Sequence, residues 1–175
     1  MKIEYVTGNL IHLAYAGKFD VIAHGCNCFN TMGAGIAKTI RHNFPEAYAA
    51  DCRTQRGDRD KLGQLTYVKT TANTHNLIIF NLYTQYHWSK VDPNGNVNPT
   101  ETLVDYDAVE SSLLMMNRKI KGLIYSGELP ENPRIGLPKI GCGLARGDWD
   151  TVSDIIEERL ENVTVVEFER NNYEG

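Results

Sequence analysis

The stretch from residue 20 to residue 40, DVIAHGCNCFNTMGAGIAKTI, indicates the kind of fold. Its first part, Asp20 to His24, is a brief apolar run that is typical of a buried strand. Thr31 to Gly35 is a glycine loop, and the apolar spacing after it predicts a helix that Pro45 interrupts. The stretch therefore reads as a strand that passes through a glycine loop into a helix.

A second glycine loop has the same setting. Gly141 to Gly143 follows a short strand predicted at Arg134 to Leu137 and precedes a helix predicted from Val152 to Leu160. Ligands of open α/β sheets bind at the carboxyl ends of strands, where helix N-termini and backbone N–H groups favour anions. Two such loops suit a diphosphate between two sugars. Tight turns alone also explain glycines at strand ends, and the sequence has no P-loop and no Gly-x-Gly-x-x-Gly after its first strand.

The remaining segments complete an alternation of strands and helices. Residues 106–120 have apolar side chains spaced by three and four, which predicts an amphipathic helix, and residues 77–80 are apolar on both faces. This pattern predicts one domain over residues 1–175, a three-layer α/β/α fold with a mixed, mostly parallel sheet. The other predicted elements are strands at Ile3–Thr7, Gln64–Lys69, Asn76–Tyr83 and Val163–Phe168, and a helix through Ala47–Cys52.

Composition and charge restrict the ligand. The 175 residues are 42% hydrophobic and 23% charged, with a net charge of −4, as in a soluble globular domain. A protein that holds a nucleic-acid backbone needs a basic face, so we expect no such partner. A small anionic ligand remains compatible, because backbone N–H groups can bind its phosphates.

The cysteines predict neither a metal site nor a disulfide framework. Cys26, Cys28, Cys52 and Cys142 match no zinc spacing, and we expect reduced, mostly buried thiols. We also expect no cofactor. Because the sequence shows no signal segment and no apolar run of membrane-spanning length, we expect a cytoplasmic protein without a membrane partner. Trp88 to Thr100 is predicted to be a long surface loop, of a length that is often functional.

Three motifs resemble the macrodomain family. They are Ala23-His24-Gly25-Cys26-Asn27-Cys28, Met32-Gly33-Ala34-Gly35-Ile36-Ala37, and Leu137-Pro138-Lys139-Ile140-Gly141-Cys142-Gly143-Leu144 with Trp149 after it. The resemblance covers nearly the whole chain in order. It is nearest to the branch of terminal ADP-ribose–protein glycohydrolases, DNA-ADP-ribose glycohydrolases and ADP-ribose-1″-phosphate phosphatases. It implies ADP-ribose or ADP-ribose-1″-phosphate as the ligand, with ADP-ribosylated protein as a further partner.

The resemblance also implies a position for each part of ADP-ribose. Asn9 stands where the family has an Asp that accepts from the adenine amino group, and Phe168 would line the same pocket. Asn27 and the loop around Gly33 would meet the distal ribose, and the loop after Ile140 would wrap the diphosphate. The ligand-binding residues implied in this way are Asn9, Leu10, Asn27, Met32, Gly33, Ala34, Gly35, Ile36, Pro138, Ile140, Gly141, Cys142, Gly143, Leu144, Ala145, Arg146 and Phe168.

Two departures from the resemblance bear on the reaction. The glycohydrolase branch has a catalytic Lys in a Thr-Lys pair after the central strand, and here the pair is Thr84-Gln85. The same branch has a catalytic Asp where this chain has Ala145. Gln85 cannot form a lysine adduct and Ala145 has no acid–base chemistry. Lysine-type deglycosylation is therefore not expected.

His24 and Asp148 are the predicted catalytic residues. The related phosphatases have a His at the end of the corresponding strand and use it with an Asp. The alternatives stay open, because His24 could equally be a hydrogen-bonded core residue and Asp148 a helix N-cap. We expect an ADP-ribose-1″-phosphate phosphatase. The alternative is a non-catalytic binder of ADP-ribose or reader of ADP-ribosylated macromolecules, and a residual ADP-ribosyl glycohydrolase ranks third.

Overall fold

A computed structural model describes residues 2–88 and 102–168 of the chain. Within these residues, six strands form one sheet in the order β1-β6-β5-β2-β4-β3. All neighbouring strands run parallel except β3, which is antiparallel to β4. The strands are β1 (Glu4–Gly8), β2 (Val21–Cys26), β3 (Leu65–Ala72), β4 (His75–Tyr83), β5 (Ile135–Leu137) and β6 (Val163–Phe168).

Helices cover both faces of the sheet. One buried cluster joins the sheet to α4 and α5, and a second joins the opposite face to α1, α2 and α3. The predicted three-layer α/β/α fold with a mixed, mostly parallel sheet is confirmed. The helices are α1 (Leu10–Tyr15), α2 (Gly35–Asn43), α3 (Pro45–Cys52), α4 (Tyr106–Tyr125) and α5 (Trp149–Arg159), and Arg59–Lys61 form a 3-10 turn.

Helix α1 was not predicted. It has only six residues, too few for a helical period to stand out in the sequence, and it is stabilised by burial of Leu10, Ile11 and Ala14. Asn9, which follows β1, caps this helix with its side chain. The strand predicted at Gln64–Lys69 continues to Ala72 because it pairs with β4 along its whole length.

The sheet determines where a ligand can bind. Strand β2 lies between β5 and β4 and is parallel to both, so the loops that follow these three strands leave the same edge of the sheet. Both glycine loops are among them. The fold therefore brings together two segments that lie more than a hundred residues apart in the sequence.

Two further expectations concern the surface. Apart from Trp88, the predicted loop from Trp88 to Thr100 lies outside the described residues. None of the helices in the described ranges combines the length and apolarity needed to cross a bilayer.

Candidate functional site

A cleft of about 970 Å³ opens at the carboxyl edge of the sheet. Its walls come from the start of α1, the glycine loop between β2 and α2, the glycine loop after β5, and the end of β6. All the predicted ligand-binding residues line this cleft except Cys142 and Arg146. The structure thus brings the predicted residues into one cavity, while their contact with a ligand stays a prediction.

The two exceptions have structural explanations. Cys142 is half-buried against the core, and its Sγ lies 3.4 Å from the carbonyl oxygen of Ile140. Arg146 follows Ala145, the last residue of this loop in the wall, and its backbone adopts a left-handed φ of 60°. The loop therefore turns away from the cleft at residue 146.

The first glycine loop delivers the N-terminus of α2 to the cleft. Gly35 starts the helix with a φ of 58°, a conformation that a residue with a Cβ rarely adopts. The N-cap, Ala34, provides no side-chain hydrogen bond. The N–H groups of the first turn have no acceptor within the helix, so this wall offers donors and a partial positive charge.

The second glycine loop is folded tightly upon itself. Gly141 has a φ of 74°, and a Cβ there would lie 2.6 Å from Cγ2 of Val104. The N–H of Gly147 donates to the Gly141 carbonyl at 2.6 Å, which closes the loop. Gly143, in contrast, has open space where a side chain would begin. The segment from Gly143 to Ala145 lies in the cleft wall, and at Gly143 no side chain covers the backbone.

Two asparagines in the cleft wall serve the local structure. The Asn9 amide oxygen accepts from the N–H groups of Ile11 and His12 at 2.9 and 3.1 Å. This oxygen therefore caps α1, and its expected contact with the adenine amino group stays a prediction. Asn27 accepts from the N–H of Phe29 and donates to Thr31 Oγ1, which fixes the first loop.

His24 lies inside the sheet and does not line the cleft. Its side chain is fully buried, and its Nε2 lies 2.7 Å from Oδ1 of Asn81. Asn81 uses its amide nitrogen to donate to Ala47 O and Thr66 Oγ1, so Nε2 of His24 carries the donated proton. Burial lowers the pKa of His24 to about 4, against the effect of this hydrogen bond. The structure thus shows a satisfied core histidine, and its catalytic role stays a prediction.

Asp148 is the N-cap of α5 and is absent from the cleft wall. Its Oδ2 accepts from the N–H of Thr151 at 3.1 Å and from the hydroxyl of the same residue at 2.7 Å. These hydrogen bonds lower the pKa of Asp148. They account for the side chain as a helix cap, and its part in a reaction likewise stays a prediction.

The two residues at the positions where the glycohydrolase branch has its catalytic Lys and Asp, Gln85 and Ala145, do line the cleft. Gln85 lies in the wall, where its amide nitrogen donates to His87 O at 3.0 Å. Ala145 lies in the opposite loop. Both changes therefore affect the cleft itself, and neither side chain can take or give a proton there.

Trp88 and Asp51 are two of the wall side chains that were not predicted to bind the ligand. Trp88 is half-exposed and stacks on His87 at 4.0 Å, with Phe29 against both rings. Asp51 is a buried carboxylate on α3. A signal for Asp51 existed, because a charged residue four positions after Ala47 falls on the apolar face of its helix.

Charge in the cleft is sparse. Of the lysines and arginines in the described residues, Lys139 lines the wall, and its Nζ is paired with Glu167 at 2.9 Å. Within residues 2–88 and 102–168 no group of three His, Cys, Asp or Glu side chains is arranged to hold a metal ion. An anion in this cleft would therefore be held mainly by backbone dipoles.

The α/β/α layers, the sheet order and a cleft between two glycine loops define a macrodomain fold. The family model described as Macro domain matches residues 23–156, and the chain belongs to this family.

Individual relatives agree with this assignment. Over 171 residues the chain is 34% identical to a phage T4 protein named "Uncharacterized 17.5 kDa protein in tk-vs intergenic region", with 95% of each chain covered. It is 25% identical to the ADP-ribose 1″-phosphate phosphatase of Candida albicans, over 89% of this chain and 92% of the relative. The solved macrodomain of Thermus aquaticus DarG shares the fold with a TM-score of 0.65, at 23% identity over 97% of this chain and 99% of that one.

Gly143→Glu should abolish binding of an anionic ligand without unfolding the domain. The new side chain starts in open space and adds a negative charge to the cleft, which should weaken binding of a diphosphate on the order of 100-fold or more. Calorimetry with ADP-ribose and circular dichroism are the measurements. Gly122→Glu is the matched control, since Gly122 lies in open space on the exposed side of α4. Equal affinity in both variants would contradict the proposed wall.

His24 should make the domain less stable in mild acid. Its folded pKa of about 4 is below its unfolded value of 6.5, so its contribution is complete above pH 6.5 and is lost as the pH falls towards 4. At pH 5 this group should lower the free energy of unfolding by about 2 kcal/mol. Urea unfolding of wild type and His24→Gln at pH 7.5 and 5 isolates the effect, because Gln keeps a donor and does not titrate. Identical losses in both proteins would contradict a buried neutral His24.

The cap assignment predicts a contrast at position 148. Asp148→Asn should keep the Tm, because Asn accepts the same backbone hydrogen bond, whereas Asp148→Ala should lower it. Thermal unfolding of the two variants is the measurement. An Ala variant as stable as wild type would mean that the cap contributes nothing.

Proposed function

We propose that this macrodomain binds ADP-ribose derivatives and hydrolyses ADP-ribose-1″-phosphate to ADP-ribose and phosphate. The observation that carries the proposal is the pairing of two backbone walls across one cleft, the uncapped N-terminus of α2 and the loop from Gly143 to Ala145. Donors on both sides of a gap suit a diphosphate, which presents oxygens on both flanks. The name of the Candida albicans relative supports the same ligand class.

The remaining walls suit the two ends of the ligand. At one end the cleft is bounded by Leu10, Val166 and Phe168, an apolar surface against which an adenine ring can pack. At the other end lie Asn27 and Gln85, beside which we propose the distal ribose. A phosphate on C1″ of that ribose would then lie in the same cleft, which Trp88 also lines.

Phosphate release fits the wall better than glycosidic cleavage by lysine chemistry. Gln85 cannot form an imine, and Ala145 cannot activate a water molecule. Hydrolysis of the phosphate ester instead requires water to attack phosphorus while the P–O1″ bond breaks. Backbone N–H groups can stabilise the phosphoryl charge that develops in that step. These requirements support the phosphatase as the first candidate.

The second candidate is a binder or reader without turnover. Gln85 and Ala145 favour this candidate, because both line the cleft but lack the chemical groups that the glycohydrolase branch uses at these positions. Such a domain would recognise ADP-ribose attached to protein or occurring free.

ADP-ribose should bind at least about tenfold more tightly than AMP, because only ADP-ribose reaches the diphosphate walls and the distal ribose end. Calorimetry with both ligands tests the binding part. Phosphate release from ADP-ribose-1″-phosphate tests the enzymatic part, with Asp148→Asn and His24→Ala as probes of the predicted catalytic residues. Equal affinity for AMP would refute the cleft assignment. Tight binding without phosphate release would leave the non-catalytic binder or reader as the remaining candidate. Loss of phosphate release in Asp148→Asn with an unchanged Tm would make Asp148 catalytic.

A further inference from the structure

Asp51 occupies an unexpected environment for a carboxylate. It lies near the end of α3, is 1% exposed, and belongs to the cleft wall that also contains Cys26 and Asn27. Cys26 is paired in register with Tyr83, and Tyr83 contacts Asp51, so the carboxylate lies at the carboxyl ends of β2 and β4. This is the end of the cleft that the proposed function assigns to the distal ribose.

Only one side of the carboxylate is occupied. The Tyr83 hydroxyl donates to Oδ1 at 2.7 Å, and within the described residues no donor reaches Oδ2. Lys61, the nearby cation, directs its Nζ to Cys28 O at 3.1 Å and Asn30 Oδ1 at 2.6 Å, and it forms no ion pair with Asp51. A buried acid group in the cleft wall therefore retains an oxygen that can serve a ligand.

The surroundings raise the pKa of this acid. Burial raises the pKa of Asp51, and this outweighs the Tyr83 hydrogen bond and the charge of Lys61, which act in the opposite direction. The titratable groups that face it are Tyr83 of β4, Lys61 of the 3-10 turn, Cys26 and Cys28 at the end of β2, and Tyr48 of α3. Burial raises the pKa of both thiols, so they carry no charge near neutral pH.

We propose that Asp51 contacts the distal ribose and is a catalytic residue, the proton donor to its anomeric oxygen O1″. This inference rests on the proposed phosphatase function. It assigns to α3 the acid chemistry that Gln85 and Ala145 cannot supply. Within the described residues Asp51 is the carboxylate that lines the cleft, whereas Lys139 is held by Glu167.

The proposed step is a hydrolysis in which atoms and charge are conserved. The oxygen of a water molecule forms a bond to phosphorus, the P–O1″ bond breaks, and its electron pair goes to O1″. Asp51 gives its proton to O1″, which yields the 1″-hydroxyl of ADP-ribose and leaves Asp51 as a carboxylate. A proton of the attacking water, carried by the released phosphate, returns to Asp51 directly or through solvent. When Asp51 is protonated, it also places no second negative charge beside the phosphate.

Asp51→Asn is the first test. Asn keeps the shape and can still accept from Tyr83, but it cannot give up a proton, so phosphate release should fall by about 10²–10⁴-fold. ADP-ribose affinity and Tm should change little. The control is Asp154→Asn, an exposed carboxylate on α5, which should retain full activity. Full activity in Asp51→Asn would overturn the proposal.

The pH profile separates chemistry from architecture. Phosphate release should fall as the pH rises through the pKa of Asp51, because the donor is then ionised. Tyr83→Phe removes the hydrogen bond that stabilises the carboxylate, so this alkaline limb should move to higher pH. A merely structural Asp51 would lower activity equally at all pH values and leave the limb where it is, and that result would overturn the acid role.

A binding measurement covers the case in which wild type releases no phosphate. Asp51→Ala should then weaken ADP-ribose binding about tenfold, the loss of one good hydrogen bond, and leave ADP binding unchanged, since ADP has no distal ribose. If wild type releases no phosphate and Asp51→Ala weakens only the binding of ADP-ribose, the proposed phosphatase function and the acid role are refuted. The same result supports the ribose contact. Equal effects on both ligands, or none on either, would refute the contact itself.

Discussion

The parallel pairing of β2 with β4, continued beyond the ends of both strands, is the interaction on which the site depends. The N–H of Thr84 donates to Cys26 O at 3.2 Å, and the N–H of Cys28 donates to Tyr86 O at 2.9 Å. These bonds hold the two exit loops side by side. Since the core of β2 is buried on both faces, a shift in register would expose apolar side chains and displace the first glycine loop as well.

An acidic protein here has a proposed site for anions in its cleft. The chain has a net charge of −4, and the cation of the wall, Lys139, is paired with Glu167. The proposed recognition of phosphate would therefore come from oriented backbone groups, which need no side-chain charge but need particular backbone geometry. Left-handed backbone at Gly35 and Gly141 provides it, and this explains why glycine loops rather than basic residues mark the site.

Most of the fold could be predicted because its signals are local, and most of the cleft wall because three motifs resemble the macrodomain family. Apolar runs, helical spacing and glycines between them identified β2, α2, α4 and the two loops, and parallel strand order brings those loops together. What could not be predicted depends on contacts distant in sequence. Helix α1 is stabilised by burial against the sheet. Whether a polar side chain is structural or available to a ligand depends on its hydrogen-bond partners, such as Asn81 for His24.

The polar residues illustrate why residue type alone does not identify a catalyst. His24 and Asp148 have side chains suited to acid–base chemistry, yet both hydrogen-bond within the protein, one in the sheet and one at a helix end. Asp51 appears in sequence as an ordinary residue of a short, alanine-rich helix. Burying a carboxylate without an ion pair is unfavourable, so it persists where a ligand benefits from it or where a neighbour such as Tyr83 offsets the cost. Here Tyr83 reaches one oxygen only, and the incomplete satisfaction of Asp51 is the physical reason to look for a ligand at the other.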